Sequence, residues 1–449
     1  MSNISGSKYI KNREEKAFKV ASIIFIIATI LMPPYFGIPV PGFDLTAVRI
    51  MIIVLTVLIC FNRERLYEFL PMIKYSGVFL ATAPYIFVIT YTMVYRTDLK
   101  AFLNPFIEFL ILFLAIYVIR DSLGMDTALK VMLVCYYILA IEGIIEYFLG
   151  YSLFYYLRTL DGALSGGVFV RNGHYRIAGP AAHALGYGLI LNVGLPLTCI
   201  DIKSKRFYMF QRPLLFLLMI INIVFTGSRS SFAVMGVEII GIFLLSEKRE
   251  KKRTLIVGTL GIIVFGVLLL ALSGTSVGGY FMLQITGVID ELFGTSYSVK
   301  YGATIGTQES SNYRDYLWYV FQVSWLNPLV GLGRSRSFST YINGVAIKSL
   351  DNHYIAEYVR YAYPGMFSII FFFVVMLFIM IKKIHRDRDA YSKACFLGAA
   401  AYLLGLYYVD SLGTLKYLYL IFALFVCDAP DLFVTRVKRK SSRYLKQAI

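Results

Sequence analysis

Runs of membrane-spanning length recur along this chain from end to end, and that recurrence leaves few folds open to it. About 20 apolar residues of helix cross a bilayer, where every backbone amide must be paired within the protein. In the 449 residues such runs fall near 18–36, 45–61, 76–94, 101–119, 128–149, 181–200, 213–227, 231–246, 254–272, 364–382, 394–410 and 416–434. The pattern predicts an all-α polytopic membrane protein with about twelve transmembrane helices, forming one domain over 1–449. The runs at 213–227 and 231–246 are short and joined by a tight turn, so their limits are the least defined. The hydrophobic fraction of 58% and charged fraction of 16% argue against a set of soluble domains. The first run follows a basic segment but has no small-residue cleavage site, so it reads as a retained helix.

The formal net charge is +17. Its placement argues against nucleic acid as a partner, because the basic residues cluster between apolar runs as topology signals do. The clusters are Lys8–Lys19, Lys203–Arg206, Lys248–Arg253, Lys382–Arg388 and Arg436–Lys446. Twelve crossings put all of them on one side, which predicts cytoplasmic termini. The outer face then carries two sizeable segments, 151–180 and 274–363, the second lying between the ninth and tenth spans. Shorter outer turns fall at Gly37–Phe43, Tyr95–Lys100, Gly227–Ser230 and Asp410–Lys416. Cys60, Cys135, Cys199, Cys395 and Cys427 lie in or beside apolar runs, show no metal-ligand spacing, and read as small buried hydrophobes.

Basic residues on the outer face break the topology rule and so carry information. They are Arg171, Arg176, Arg229, Arg314, Arg334, Arg336, Lys348 and Arg360. A guanidinium fork suits phosphate oxygens, and several converging from separate segments would form a diphosphate pocket. Local carboxylates or lipid headgroups are the alternative partners. Glu108, Glu142, Glu146 and Glu238 sit within apolar runs, as relay groups or as partners of structural arginines such as Arg49. His174, His183 and His353 fall on the outer face without a metal signature, so no metal is expected there. His353 has Asp351 and Glu357 nearby in sequence to orient it, and on a helix His353 and Glu357 would share a face at i, i+4.

Four pieces in order resemble the O-antigen polymerase and O-antigen ligase superfamily of bacterial membrane glycosyltransferases. They are Arg176-Ile177-Ala178-Gly179-Pro180 with His183 and Leu185-Gly186; Thr226-Gly227-Ser228-Arg229-Ser230; Arg314 with Trp318, Asn327-Pro328 and Gly331-Leu332-Gly333; and Asp351-Asn352-His353-Tyr354 with Glu357 and Gly365. The resemblance runs from about Arg176 to Gly365 and implies a GT-C-like helical fold. It implies a polyprenyl-diphosphate-linked glycan whose diphosphate rests on Arg176, Arg229 and Arg314, with Asp351 or His353 as base. His183, Asn352, Tyr354 and Glu357 would support the motif, and neither a divalent metal nor another cofactor is needed. Ligases of this superfamily carry His-Asn where this chain has Asp351-Asn352, which favours the polymerase branch.

The expected activity is therefore polymerisation of lipid-linked repeat units into a surface polysaccharide at the outer face of a bacterial cytoplasmic membrane. The alternative within the superfamily is ligation of the finished glycan to lipid A core or another acceptor. A lipid-linked glycan flippase or transporter is the distant alternative, since neither repeated halves nor midplane binding groups are evident. Expected partners are the glycan donor, the glycan acceptor, membrane lipid, a flippase and a chain-length regulator.

Overall fold

A computed structural model describes residues 2–40, 44–74, 76–161, 168–272, 274–303, 313–342, 344–347, 349–411 and 413–429. Lys348 and the basic cluster Arg436–Lys446 lie outside the described residues, as do the side chains before Arg13. The helices are α1 Ser2–Leu31, α2 Ala47–Cys60, α3 Arg63–Lys74, α4 Gly77–Arg96, α5 Leu99–Tyr117, α6 Met125–Leu149, α7 Ala184–Gly194 and α8 Pro213–Phe225. They continue with α9 Arg229–Leu245, α10 Lys248–Leu272, α11 Ser276–Phe293, α12 His353–Asp387, α13 Ala390–Gly405 and α14 Leu415–Asp428. All twelve apolar runs fall on these helices, and the described strands form only short antiparallel hairpins. Among the described residues five helices are long and apolar enough to cross a bilayer: α4, α5 with its π-helical extension to Leu123, α6, α10 and α12. Several helix starts are fixed by side-chain acceptors, as sequence chemistry expects. Ser76, Asp98, Ser228 and Asn352 each accept backbone N–H groups of the following turn.

Contacts between helices sort the loops onto two ends of the bundle. At one end the carbonyl of Met32 accepts from Lys416, that of Gly331 from Arg96, and that of Leu406 from the His353 amide. At the other end Lys383 pairs with Asp428, Tyr391 with Asp126, and Arg206 with Glu247. The described basic clusters at 203–206, 248–253 and 382–388 belong to this second end, opposite the described parts of the segments 151–180 and 274–363. Helix α10 leaves Leu260, Ile262 and Leu270 exposed. A helix apolar on its open side fits contact with acyl chains rather than water.

The segment 274–363 differs from its polar appearance in sequence. It contains α11, a hairpin pairing Thr340 with Ile347, and the first turns of α12. The tenth apolar run starts at 364 in sequence, but its helix begins at His353 and passes through a kink at Ala362, where φ is 57°. Pro364 explains the kink, because it has no N–H to return to the Arg360 carbonyl. The freed carbonyls of Val359 and Arg360 instead accept the amides of Leu332 and Gly333, each at 2.9 Å, and the Tyr363 amide turns to Pro328. A Cβ on Gly331 would collide with the Arg360 carbonyl group. The Asn327-Pro328…Gly331-Leu332-Gly333 stretch is thus a backbone plug for the α12 kink. Asp98 fastens its far side, accepting the amides of Arg334 and Ser335 at 2.7 and 2.8 Å. Burial alone would raise the Asp98 carboxyl, but the Ser335 and Arg334 donors outweigh it and hold it below the usual carboxylate range.

Candidate functional site

The loop carrying Arg176 is held from below by two glutamates of α6. Glu146 accepts the amides of Ala178 and Gly179 at 2.7 and 2.8 Å and the Tyr175 hydroxyl at 2.8 Å. Glu142 accepts the Ser152 hydroxyl and the Leu153 amide, each at 3.0 Å. These carboxylates therefore bind loop donors rather than an arginine. Of the two roles open to them in the sequence, neither relay group nor arginine partner describes this pair, which holds the loop. Glu146, with two amide donors and a hydroxyl, is satisfied without a cation, whereas Oε2 of Glu142 is buried without a partner among the described residues.

So fixed, Arg176 turns inward and is 8% exposed. Its Nε donates to the Thr226 carbonyl at 2.7 Å, tying the loop to the Thr226–Ser230 turn. Gly227 holds φ at +59°, and a Cβ there would lie 3.1 Å from the Arg176 side chain and 3.2 Å from the Tyr280 hydroxyl. Glycine is required on both counts. Arg176 and Arg229 line one small cavity with Arg171, Tyr280 and Gln284. None of its described lining residues is a carboxylate. The Arg176 Nη2 is buried without a hydrogen-bond partner among the described residues. Burial lowers the pKa of Arg176 from the ordinary arginine value, because the charge has lost water and no carboxylate among the described residues offsets that loss. An anion in the cavity would supply that counterion.

Arg314 does not line this cavity. It stands on a helical turn at 313–317, with its guanidinium 5.6 Å from the Tyr408 ring centre. His183 caps α7, its Nδ1 accepting the Leu185 amide at 3.1 Å, and its ring lies 4.4 Å from that of Phe169. The charges of Arg176 and Asp351 both act on His183, which brings the first and last pieces of the sequence pattern near each other. Asp351 is partly exposed and accepts the Ser349 hydroxyl at 2.6 Å. Asn352 is the N-cap of α12, accepting the amides of Tyr354 and Ile355 at 3.0 and 3.2 Å. Tyr354 donates to the Leu403 carbonyl at 2.8 Å.

His353 is 1% exposed, and the group that orients it is neither Asp351 nor Glu357. Its Nδ1 lies 3.0 Å from Asp410, in the turn between α13 and α14. The Asp410 carboxylate also pairs with both terminal nitrogens of Arg360, and the Arg360 Nη1 reaches Glu357 at 3.2 Å. Glu357 in turn accepts the Tyr85 hydroxyl at 2.5 Å and faces the Arg334 Nη2 at 3.5 Å. Burial opposes the charge on Asp410, yet Arg360 and the bond from His353 hold it well below the usual carboxylate range. An ionised Asp410 can only accept, so the hydrogen of this bond sits on His353 Nδ1, and Nε2 is buried without a partner among the described residues. Tyr85, Arg360 and Asp410 are the functional neighbours that sequence reading did not select. Arg360 was visible as an outer-face arginine, but Asp410 looked like part of a short turn.

Among the described residues no cluster of three or more His, Cys, Asp or Glu side chains is placed to hold a metal ion. Cys135, Cys199 and Cys395 are buried as expected, whereas Cys60 is exposed at the end of α2. No protein-family model and no curated protein matches this chain.

Proposed function

We propose that the chain is a membrane glycosyltransferase that polymerises polyprenyl-diphosphate-linked repeat units at the outer face of a bacterial cytoplasmic membrane. In this reading the twelve apolar helices each cross the bilayer, and the basic end of the bundle faces the cytoplasm. The observation that carries the reading is the arginine cavity. Arg176, Arg171 and Arg229 surround a space with no carboxylate among its described lining, and Arg176 keeps a buried unpartnered nitrogen there. Such a site suits a diphosphate.

Transfer joins an acceptor hydroxyl oxygen to the anomeric carbon as the bond from that carbon to the diphosphate oxygen breaks. The electron pair leaves on the diphosphate, where the arginines stabilise the developing charge. The hydroxyl proton passes to Asp351. Of the two candidate bases, exposure favours Asp351: it is partly open, whereas His353 is 1% exposed and spends its Nδ1 on Asp410. His353, Asn352 and Asp410 then position the start of α12, on which Asp351 is presented.

The arginine cavity as it stands has a volume of about 20 Å³, room for roughly one water molecule. Tyr280, Leu283, Gln284 and Gly287 of α11 form one of its walls. A diphosphate therefore needs a wider cavity than this one. Surface-glycan analysis of cells lacking the gene tests the reading. Loss of long chains with retention of single repeat units is expected. Accumulation of long chains still linked to polyprenyl diphosphate would instead identify a ligase, and unchanged glycans would overturn both readings.

A further inference from the structure

A second recess, of about 420 Å³, opens at the same end of the bundle between α1, α2, α5 and the start of α14. Its polar wall comprises Arg49, Asn104, Glu108, Arg334, Ser411 and Lys416. Its volume lies within the range of small-molecule sites, about 300–1,000 Å³. Unlike the arginine cavity it is lined by both signs of charge, Asp44, Asp161 and Glu108 together with Arg49, Arg334 and Lys416. That mixture disfavours a phosphate and favours an uncharged ligand with many hydroxyls.

The polar groups are held in fixed directions. The Arg49 guanidinium is clamped by the Asp44 carbonyl at 2.7 Å and the Asn104 side-chain oxygen at 3.0 Å. Lys416 is 9% exposed and gives one of its three donors to the Met32 carbonyl at 3.1 Å. Among the described residues Glu108 receives no hydrogen bond, although the Arg334 charge acts on it. Carboxylate, amide, hydroxyl and cation in alternation match neighbouring sugar hydroxyls, each of which both donates and accepts. Ile107, Ile111 and Pro33 provide an apolar wall for the C–H face of a sugar ring.

We infer that this recess is a carbohydrate subsite that holds a short stretch of the glycan chain away from the reacting bond. The inference rests on the glycosyltransferase reading. Arg334 links the two parts, lining the recess while facing Glu357 of α12 at 3.5 Å. A glycan bound here contacts Arg334, which faces the helix that follows Asp351, so its binding energy serves to position the reactants.

The test uses purified full-length protein and the repeat-unit oligosaccharide freed from its lipid by mild acid, with binding followed by saturation-transfer NMR. Wild type is expected to bind. Asn104→Trp, which fills the recess, and Glu108→Gln, which keeps its shape, are each expected to weaken binding by about tenfold or more. Thermal unfolding confirms that each variant is folded, and Glu108→Gln decides the matter if Asn104→Trp is not. Wild-type affinity in a folded Glu108→Gln or Asn104→Trp variant that still turns over lipid-linked donor overturns the inference and leaves the glycosyltransferase reading intact. Absence of binding and of turnover in wild type overturns both.

Discussion

The imidazole Nδ1 of His353 and a carboxylate oxygen of Asp410 lie 3.0 Å apart, joining the start of α12 to a turn 57 residues later. Asp410 also neutralises Arg360, so one carboxylate satisfies a buried imidazole and a partly buried guanidinium. Asp410→Ala would strand the His353 imidazole and leave Arg360 with Glu357 alone. Removing one partner of a buried pair costs about 3–5 kcal/mol, and the lower end applies because Arg360 keeps Glu357. The expected outcome is a clear fall in unfolding temperature of the detergent-solubilised protein. An unchanged unfolding temperature would show that the network contributes little.

Access separates the two candidate bases. Asp351→Asn is expected to lower kcat for transfer by roughly 10²–10⁴ with little change in acceptor KM, as loss of a general base does. His353→Gln is expected to lower the unfolding temperature and retain a larger share of kcat. Steady-state kinetics on the folded variants check this. The opposite ranking in kcat would assign the proton transfer to His353.

Gly227 is the point at which the Thr226–Ser230 turn touches Arg176. Its left-handed conformation costs an L-residue about 1–2 kcal/mol, and an added methyl would crowd Arg176 and Tyr280. Gly227→Ala is expected to reduce affinity for a polyprenyl diphosphate more than it reduces binding of the free oligosaccharide. Equal loss of both would indicate general unfolding instead of a disturbed arginine cavity.

Orientation is open to a direct check. Cys60 is exposed at the basic end, and Asp161 is exposed at the other. In intact cells a membrane-impermeant maleimide is expected to spare Cys60 and to label an Asp161→Cys variant in a Cys60→Ser background. Labelling of Cys60 before permeabilisation would reverse the proposed orientation.

Much of this architecture is readable from the chain alone. The apolar runs locate the helices because bilayer-length periodicity is a local property. Thr226-Gly227-Ser228-Arg229 marks its own turn, since Gly227 and the Ser228 cap are chemically suited to it. The start of α12 was not readable. Its first turns carry His353, Glu357 and Arg360, whose polarity suggests a loop until Tyr85, Arg334 and Asp410 are brought in to bury them. The role of Gly331-Leu332-Gly333 was hidden for the same reason. Its partner is a pair of carbonyls freed at the Ala362–Pro364 kink, and a freed carbonyl leaves no mark on the residues that will bond to it. Glu146 looked like a charge needing an arginine, but two backbone amides and a tyrosine hydroxyl satisfy it. Arginines selected by placement did meet in part: Arg176 and Arg229 share a cavity, while Arg314 lies at Tyr408.

The most direct measurement is turnover of a polyprenyl-diphosphate-linked repeat unit by purified wild type and by Arg176→Lys, with products sized by mass spectrometry. A lysine keeps the charge but loses the fork and the bond to the Thr226 carbonyl. The account predicts chain extension with release of polyprenyl diphosphate by wild type, and a loss of roughly 10²-fold or more in Arg176→Lys, comparable to removal of one donor to a developing anion. Absence of extension in wild type, or full activity in folded Arg176→Lys, would contradict it.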